Sequence, residues 1–423
     1  MTASRLRPAR MGVMLAVGMI TVGLSGVFGG TARAQTGGSA LTVGGAHVRA
    51  PGRIAHHAVS GFNHLYVDTG DGTQCGPPGG AQDAIDVFDS SGNLVQTFPT
   101  RANTCYAFFG SNTLAYVATK TQACLVLADL NYNNTQGYGF WYSYSINMAN
   151  GQITGQVSQV ADKYKAFPMY GTPEDVVAVP SGKAVVGVDN TGNVELLTVG
   201  HSCKLGHPSV AAGAGSSVFN VTLQQISGGK TPKYDAYAAD FQNNAIDVFG
   251  LKPFALLKSI PAGVSSGVDG IAGLGNTIAV GSAAAQGNIA SQVASGTSSG
   301  PSITWGGAAG DTGAGNQNTQ DVGLASGCLF GGDEEVGGTP TAYVSWFTLA
   351  GSPPAPSWVG DQALPNGSSL VGPLVNAGST ELVDSLLGGV VYQSSIGAGC
   401  ALNLTPFAVL SDANGDSNGV AVD

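Results

Sequence analysis

The sequence predicts an all-β protein, a β-propeller of seven blades with four antiparallel strands each. The run Ala-Ile-Asp-Val-Phe occurs at residues 84–88 and again, letter for letter, at residues 245–249. Strand-like apolar segments recur every 41 to 70 residues, within or above the roughly 40–50 residues of a four-stranded blade. No segment shows the i, i+3, i+4, i+7 apolar pattern of an amphipathic helix, and the strand-like segments alternate with Gly, Asn, Asp, Ser and Pro clusters.

Seven apolar segments mark the blades. Six or eight blades remain open as alternatives, because the fourth and seventh segments are weakly patterned. Since a propeller blade buries its faces only against its neighbours, the repeat favours this fold over a sandwich or a barrel. The markers are His64–Val67, Leu114–Val117, Ala184–Val188, Ala236–Ala238, Thr277–Val280, Ala342–Ser345 and Val390–Tyr392.

The last residues of the chain have the pattern of a blade's opening strand, although no blade follows them. They read Ser-Asn-Gly-Val-Ala-Val-Asp over residues 417–423. In closed propellers a terminal strand often completes the first blade. We therefore expect the C-terminal strand to close the ring.

The N-terminus has the features of a secretory signal peptide. Three arginines between residues 5 and 10 precede an apolar core at 11–29 and an Ala-Arg-Ala cleavage site at 32–34. A membrane anchor is the alternative, but glycines interrupt the apolar run. The sequence thus predicts a secreted or periplasmic protein without a membrane span after signal removal. The expected parts are a signal peptide at 1–34, a flexible segment at 35–46 and a single propeller domain at 47–423.

The mature chain is expected to be acidic and sparsely charged. Removal of residues 1–34 takes away four arginines, which leaves 12 basic and 26 acidic residues and a formal charge of −14. This balance argues against nucleic acid as a partner, because phosphate binding needs clustered Lys and Arg. Only 10% of all residues are charged, against about 25% in ordinary soluble domains. Few ion pairs are therefore available for acid to break, which suits an acidic exterior. The alternative is simply a glycine-rich all-β composition.

Six cysteines occur after the signal peptide. An even number in an exported chain favours disulfides, and no C-x-x-C pair indicates zinc or redox chemistry. Of the 15 pairings that six cysteines allow, we expect Cys105 with Cys124 and Cys328 with Cys400.

Two segments interrupt the repeat. Residues 281–315 are rich in Gly, Ala, Ser and Thr, which predicts a long loop or linker. Residues 131–144 contain six aromatic side chains in a polar frame, which predicts a recognition loop, since Tyr and Trp offer contact area at low entropic cost. A hydrophobic cover over a blade face is the alternative. The expected recognition residues are Tyr138, Phe140, Trp141 and Tyr142.

The opening strands of four blades align with an acid or an amide at one repeat position. Because the opening strand of a propeller blade is innermost, these side chains are expected at one mouth of the central channel. Glu174 precedes the first of them. The expected channel residues are Glu174, Asp175, Asp269, Asp321 and Asn418.

The Asn-Gly-Val-Ala-Val-Asp run at 418–423 resembles the blade opening of NHL-repeat, lactonase-like and streptogramin-lyase-like propellers. Lactonase-like members hold a divalent cation in the channel with Glu, Asp and Asn and use it as a Lewis acid on a carbonyl. The resemblance implies that role, with calcium as a candidate ion, for the five channel residues. The first blade departs from the pattern, because its opening at 53–57 offers histidine and no acid. The alternative is that the acids cap tight turns by accepting backbone N–H bonds.

Two further sites are candidates. His56 and His57 are adjacent, and since successive strand residues point to opposite faces, at most one of them can face the channel. His56 is the candidate channel residue of this pair. The segment 412–423 places oxygen-bearing side chains at calcium-loop spacing, although Ser417 stands where the loop turn wants glycine. Its expected calcium ligands are Asp412, Asn414, Asp416 and Asp423.

The sequence favours an exported binding module for a small molecule, a glycan or a protein. No G-x-S-x-G, P-loop, H-E-x-x-H or C-x-x-C-H motif is present. The alternative is a propeller hydrolase or lyase. It would be lactonase-like with a channel cation, or a cofactor-free, acid-adapted hydrolase of the tetrathionate-hydrolase kind. Whether the chain is an enzyme stays open at this point.

Overall fold

The chain folds into a ring of seven four-stranded antiparallel sheets, a seven-bladed β-propeller. This confirms the predicted fold class and blade number. Residues 1–61 lie outside the described part, so the signal peptide and the domain boundaries stay predictions. The structure is a computed structural model that describes residues 62–70, 83–100, 112–129, 139–162, 173–189, 191–213, 218–227, 233–282, 292–310, 318–334, 341–366, 371–385, 389–411 and 416–423.

In every blade the first strand lies innermost, at the channel, and the fourth lies outermost. Neighbouring innermost strands contact each other all the way around the ring. From the channel outward, the strands of blades 1 to 4 are β28 (Asp416–Val422), β1 (His64–Gly70), β2 (Ala84–Asp89) and β3 (Leu94–Pro99); β4 (Leu114–Ala118), β5 (Ala123–Asp129), β6 (Phe140–Ile146) and β7 (Ile153–Ala161); β8 (Pro173–Ala178), β9 (Ala184–Asp189), β10 (Asn193–Thr198) and β11 (Ser209–Ala212); β12 (Val218–Ser227), β13 (Lys233–Asp240), β14 (Ala245–Leu251) and β15 (Phe254–Pro261).

The remaining three blades repeat this order. Their strands are β16 (Val268–Leu274), β17 (Thr277–Ser282), β18 (Gln292–Ser298) and β19 (Ile303–Gly310); β20 (Asn318–Ala325), β21 (Cys328–Glu334), β22 (Tyr343–Ala350) and β23 (Ala355–Ala363); β24 (Val371–Ala377), β25 (Thr380–Ser385), β26 (Val390–Ser395) and β27 (Thr405–Val409).

The C-terminal strand closes the ring, as predicted. β28 pairs with β1, so the two ends of the described chain share blade 1. The Asp423 carboxylate fixes this closure: its Oδ1 accepts the backbone N–H groups of Asn63 and His64 at 2.7 and 2.8 Å, and its Oδ2 lies 2.7 Å from Nδ1 of His64.

The hydrophobic core lies between the blades rather than at one centre. One cluster joins Tyr66 and Ile85 of blade 1 to Leu125 and Tyr142 of blade 2. This arrangement explains the apolar strands of the repeat, because both faces of each middle strand are buried against neighbouring blades.

The two faces of the ring differ in their connections. The segments from second to third strand, and from one blade to the next, lie on one face, here called the loop face. The turns from first to second and from third to fourth strand lie on the other, the hairpin face. Because every innermost strand begins at the loop face, the predicted channel acids lie at that mouth.

Much of the glycine-rich segment 281–315 forms strands rather than the predicted long loop, as its described residues 292–310 show. It supplies β18 and β19 of blade 5, which pair from Gln292 to Gly310. Composition misleads here because small residues suit strands that pack closely. A Cβ at Gly306, for example, would lie 2.0 Å from the Pro354 carbonyl oxygen of blade 6.

Within the part of the chain that the structure describes, two disulfides join neighbouring blades. Cys328 of β21 bonds to Cys400 in a 3-10 turn of blade 7, as predicted. Cys124 of β5, however, bonds to Cys203 in the corresponding 3-10 turn of blade 3, so the predicted pairing of Cys124 with Cys105 is wrong. Cys105 lies outside the described residues. Sequence proximity misled this prediction, because the second strand of one blade lies beside the third-to-fourth turn of the next.

Replacement of both Cys124 and Cys203 by serine is expected to lower the free energy of unfolding by about 2–4 kcal/mol, because the bond closes a long loop in the unfolded chain. Chemical denaturation at fixed pH measures this. The Cys328→Ser/Cys400→Ser pair, which closes a loop of similar length, is the matched control and is expected to lose a similar amount. An unchanged free energy of unfolding in either double variant would contradict the disulfide assigned to that pair.

Candidate functional site at the central channel

A cavity of about 220 Å³ lies on the propeller axis. Innermost strands and their leading residues line it from blades 2 to 7. Apolar side chains such as Val176, Ile271 and Leu374 form much of the wall. The polar side chains of the lining are Asn112, Asp175, Asn220, Thr222, Asp321 and Asn376.

Asp175 ties three blades together at the loop-face end of this cavity. Its Oδ1 accepts the backbone N–H groups of Asn112 in blade 2 and Val176 in blade 3, at 3.0 and 2.9 Å. Its Oδ2 accepts the N–H of Val221 in blade 4 at 2.7 Å. Bulges near the start of the innermost strands take such N–H groups out of the sheet ladder. A carboxylate is the acceptor that satisfies several of them at once.

Asp321 makes the same kind of bond between blades 6 and 7. Its Oδ1 accepts the N–H of Val322 at 2.8 Å and its Oδ2 that of Leu374 at 2.7 Å. These bonds differ from the turn capping considered above, since they join neighbouring blades. They also direct the carboxylate oxygens of Asp175 and Asp321 at backbone donors, which favours a structural role over cation ligation. The channel cation stays a prediction.

The strand register corrects the predicted alignment of the acids. Val176, Val322 and Ile271 occupy equivalent positions, because each pairs with the residue two before the last second-strand residue paired ahead of the bulge. These last residues are Asp189, Asp333 and Ser282. Asp175 and Asp321 directly precede that position. Gly270 stands there in blade 5, however, so Asp269 lies one residue earlier and does not line the cavity. A Cβ at Gly270 would lie 2.7 Å from the Gln320 carbonyl oxygen, so the close approach of blade 6 requires the glycine.

Glu174 is fully buried, and neither of its carboxyl oxygens has a hydrogen-bond partner among the described residues. It belongs to β8 and comes directly before Asp175. Burial, together with the charges of Asp189, Asp175 and Asp269, raises the pKa of Glu174 well above its ordinary value. Its carboxyl group is therefore shifted toward the neutral form, and it does not itself line the cavity.

Other buried carboxyl groups around the channel are also shifted toward the neutral form. Burial raises the pKa of Asp175 to about 7 and outweighs its three backbone donors. It raises the pKa of Asp321 to about 8, again against two backbone donors. Glu381 of β25, whose Oε2 accepts a bond from Asn376, also has its pKa raised by burial to about 8. None of these three carboxyl groups forms an ion pair with a cationic side chain of the described residues. The ion pair within that part of the chain joins His64 and Asp423.

The part of the aromatic segment that the structure describes, residues 139–144, belongs largely to a strand. Phe140, Trp141 and Tyr142 belong to β6, where Trp141 has no exposed surface and Tyr142 is 2% exposed. The Trp141 indole packs against Gly187 of blade 3 and donates a 2.8 Å hydrogen bond to Oε2 of Glu195. Trp141 and Tyr142 are therefore interior residues, and Phe140 is partly buried beside them. A recognition role for this segment stays a prediction.

Several predicted site residues cannot be placed. His56, Tyr138, Asp412 and Asn414 lie outside the described residues. Asp416 and Asn418 belong to β28, but their side chains are not described. Asp423 is described, and its carboxylate is engaged with Asn63 and His64 in the closure of blade 1. The calcium loop therefore stays a prediction.

Sequence reasoning missed the two channel asparagines next to the innermost strands of blades 2 and 4. Asn112 accepts the N–H of Val420 and donates to its carbonyl oxygen, both at 2.9 Å, which joins blade 2 to blade 1. Asn220 donates to the Asp269 carbonyl oxygen at 3.2 Å, which joins blade 4 to blade 5. Both precede an apolar strand as Asp175 does, so an alignment that admitted amides in every blade would have found them.

The chain resembles solved propellers in fold. No protein family model matches the sequence, and no curated protein matches it either. Among the described residues there is no helix with the length and hydrophobicity needed to cross a bilayer. A putative 6-phosphogluconolactonase of Bacteroides uniformis superposes with a TM-score of 0.60 at 13% identity, over 85% of this chain and 99% of that one.

Two further solved structures give the same result. The periplasmic gluconolactonase of Pseudomonas aeruginosa has a TM-score of 0.59 at 14% identity, over 86% of this chain and all of that one. A hypothetical selenium-binding protein of Sulfolobus tokodaii has a TM-score of 0.58 at 11% identity, over 86% of this chain and 94% of that one. At these identities the similarity concerns the fold alone, and the chain is a seven-bladed propeller of lactonase-like architecture.

Proposed function

We propose that this protein is an exported binding propeller that takes up a small, neutral, hydroxyl-rich molecule, such as a sugar or a sugar lactone, in its axial cavity. The observation that carries this proposal is the cavity itself, which has a volume of about 220 Å³ and exposes somewhat more polar than apolar surface. Polar groups that converge on a concave site fix the orientation of a small ligand. The volume lies below the roughly 300–1,000 Å³ of drug-sized pockets, which favours a ligand of monosaccharide size.

The lining supports a neutral ligand over an ion. Asp175 and Asp321 would repel an anion whenever they are ionised, and they offer a cation few lone pairs that backbone donors do not already use. Hydroxyl groups, in contrast, both donate and accept hydrogen bonds. Thr222 and Asn220 add a hydroxyl and an amide, which suit such partners.

Export is part of the proposal. Two disulfides are typical of proteins that leave the reducing cytoplasm. The signal-like N-terminus and the periplasmic location named for the Pseudomonas propeller point the same way. The buried carboxyl groups of Asp175, Asp321 and Glu381, which have raised pKa values, also favour an acidic compartment, because low pH keeps them neutral.

Calorimetric titration with glucose and with glucono-1,5-lactone at pH 5 tests the binding proposal. Thr222→Phe should fill the cavity and weaken the binding of either probe by at least about tenfold, roughly 1.4 kcal/mol. Thr304→Phe makes the same change at an exposed position of β19 and should leave binding unchanged. Absence of binding by the wild type, or equal binding by both variants, would count against the cavity.

A hydrolase is the second candidate, and Glu174 is the observation that favours it. A buried carboxyl group with a raised pKa, held next to the channel, is the type of group that transfers protons in catalysis. Acid release from glucono-1,5-lactone in a pH-stat, corrected for spontaneous hydrolysis, separates the two functions. Turnover that Glu174→Gln abolishes would make the protein an enzyme. Binding without turnover would leave it a binding module.

A further inference from the structure

Three buried carboxyl groups meet between blades 2 and 3, away from the axial cavity. Asp162 directly follows β7 of blade 2, whereas Asp189 and Glu195 belong to β9 and β10 of blade 3. One carboxylate oxygen from each lies within 4.8 Å of the other two. None of the three side chains has any exposed surface.

Asp162 is the member that the fold does not explain. Both of its carboxyl oxygens are buried and receive no hydrogen bond from a backbone, amide, hydroxyl or cationic donor of the described residues, and the polar group that they meet is the carboxyl group of Glu195. Glu195 adds a second such atom, its Oε1, while its Oε2 accepts the bond from Trp141. Asp189 accepts bonds from Thr191 and Asn193 through Oδ1, and its Oδ2 accepts a 3.1 Å bond from the side chain of Asn193.

The position of Asp162 can be followed through the other blades, and in blade 5 it corresponds to Asp311, the residue after Gly310, which lies outside the described part of the chain. The backbone N–H of Asp162 binds the carbonyl oxygen of Gly139, the residue just before the third strand. In five other blades the same backbone bond identifies the equivalent residue, and none of these is charged. They are Thr100, Gly213, Ala262, Leu364 and Leu410.

The facing position on the third strand gives the same contrast. Strand register makes Asp86 the counterpart of Glu195, and the Asp86 carboxylate accepts the Ser411 N–H at 2.6 Å and the Thr97 hydroxyl at 2.7 Å. Asp247, in blade 4, faces Gly213. Asp86 thus meets a hydrogen-bond donor of the preceding blade, and Asp247 meets a glycine. Glu195 instead meets a second carboxyl group, that of Asp162, and among the described residues this occurs between blades 2 and 3 alone.

We infer that Asp162, Asp189 and Glu195 bind a divalent cation of the calcium class between blades 2 and 3. Three carboxylates supply the oxygen ligands that such hard cations prefer. Two ligands on opposite sides of one calcium ion lie roughly 4.8 Å apart, since each Ca–O distance is about 2.4 Å. The oxygens of the trio fall within that limit. A cation would also satisfy the buried oxygens of Asp162, which otherwise repel Glu195.

Such an ion would complete a pair of cross-links between the same two blades. The Cys124–Cys203 disulfide joins blades 2 and 3 at the hairpin face, and the carboxyl trio lies at the loop face. The cation would fix blade 3 against blade 2 near the channel mouth. There Asp175 of β8 accepts hydrogen bonds from the backbone N–H groups of Asn112 in blade 2 and Val221 in blade 4.

Terbium, a luminescent substitute for calcium, tests the site at pH 7. The Trp141 indole contacts Glu195, so terbium in this site should show tryptophan-sensitised emission that calcium competes away. Asp162→Asn and Asp162→Leu should each weaken terbium binding by about 100-fold or more. The leucine variant is expected to fold, because blades 6 and 7 carry leucine at this position. Asp86→Asn, at the position equivalent to Glu195, should bind as the wild type does.

Elemental analysis and melting curves complete the test. Chelator should lower the melting temperature of the calcium-loaded wild type and leave that of Asp162→Leu unchanged. Asp416→Asn separates this site from the predicted loop at 412–423 and should keep the sensitised emission. A folded wild type without sensitised emission or bound calcium would overturn the proposal, as would unchanged binding in both Asp162 variants.

Discussion

Glu381→Gln is expected to stabilise the protein at pH 8 and to leave its stability at pH 4 unchanged. Burial raises the folded-state pKa of Glu381 from 4.5 to about 8, so the unfolded chain releases this proton at a lower pH than the folded chain does. The contribution of the group is therefore fully present below about pH 4.5 and is lost as the pH rises to about 8. At about 1.4 kcal/mol per pKa unit, the loss is on the order of 4 kcal/mol.

The glutamine variant removes this pH-dependent loss and keeps an acceptor for the Asn376 amide. Urea denaturation between pH 4 and pH 9 measures the difference. Ser357→Ala, on the outermost strand β23, removes no titratable group and is the control that should leave the pH profile as it is. Parallel profiles for wild type and Glu381→Gln would contradict the assignment of a buried, protonated carboxyl group. Burial also raises the pKa of Asp175 and Asp321, so we expect the wild type to be most stable in acid.

Trp141→Ala is expected to cost about 3–5 kcal/mol of unfolding free energy, the usual range for removal of a large buried aromatic side chain. The indole is fully buried between blades 2 and 3, and its loss would also leave Oε2 of Glu195 without the indole donor. The measurement is chemical denaturation at one pH. If Trp141 were instead an exposed recognition residue, the variant would lose ligand binding and keep its stability.

Trp305→Ala is the matched control for that experiment. Trp305 lies half-buried on the outermost strand β19 and donates to the Pro261 carbonyl oxygen. Its replacement removes the same side chain from the edge of a blade. We expect it to cost less than half as much as Trp141→Ala, and an equal cost would contradict the interior location assigned to Trp141.

Much of the architecture could be predicted because the apolar strand segments of successive blades recur in the sequence. The paired AIDVF runs are the third strands β2 and β14. Six of the seven markers fall on middle strands of blades, with Ala342 just before β22, whereas the marker at 114–117 is the innermost strand β4. The C-terminal closure followed from the same pattern. The outer strands of blade 5 escaped detection because Gly, Ala and Ser carry no alternation, although they suit strands that pack closely.

The site was predicted less well, for reasons that concern single residues. Asp269 looks equivalent to Asp175 in the sequence, but bulges at the strand starts shift it by one residue. A one-residue shift changes which side chains reach the channel. Asp162 carries no sequence signal at all, since only the strand register shows that it faces Glu195 from another blade.

The central claim, ligand uptake in the axial cavity, is tested most directly by methyl NMR of the wild type during titration with glucono-1,5-lactone at pH 5. Binding in the cavity predicts shift changes concentrated on the lining methyl groups of Val176, Val221, Ile271 and Leu324. The exposed methyl groups of Leu256 and Leu257 on β15 should not shift. Shifts confined to outer strands, or none up to saturating probe, would contradict the account.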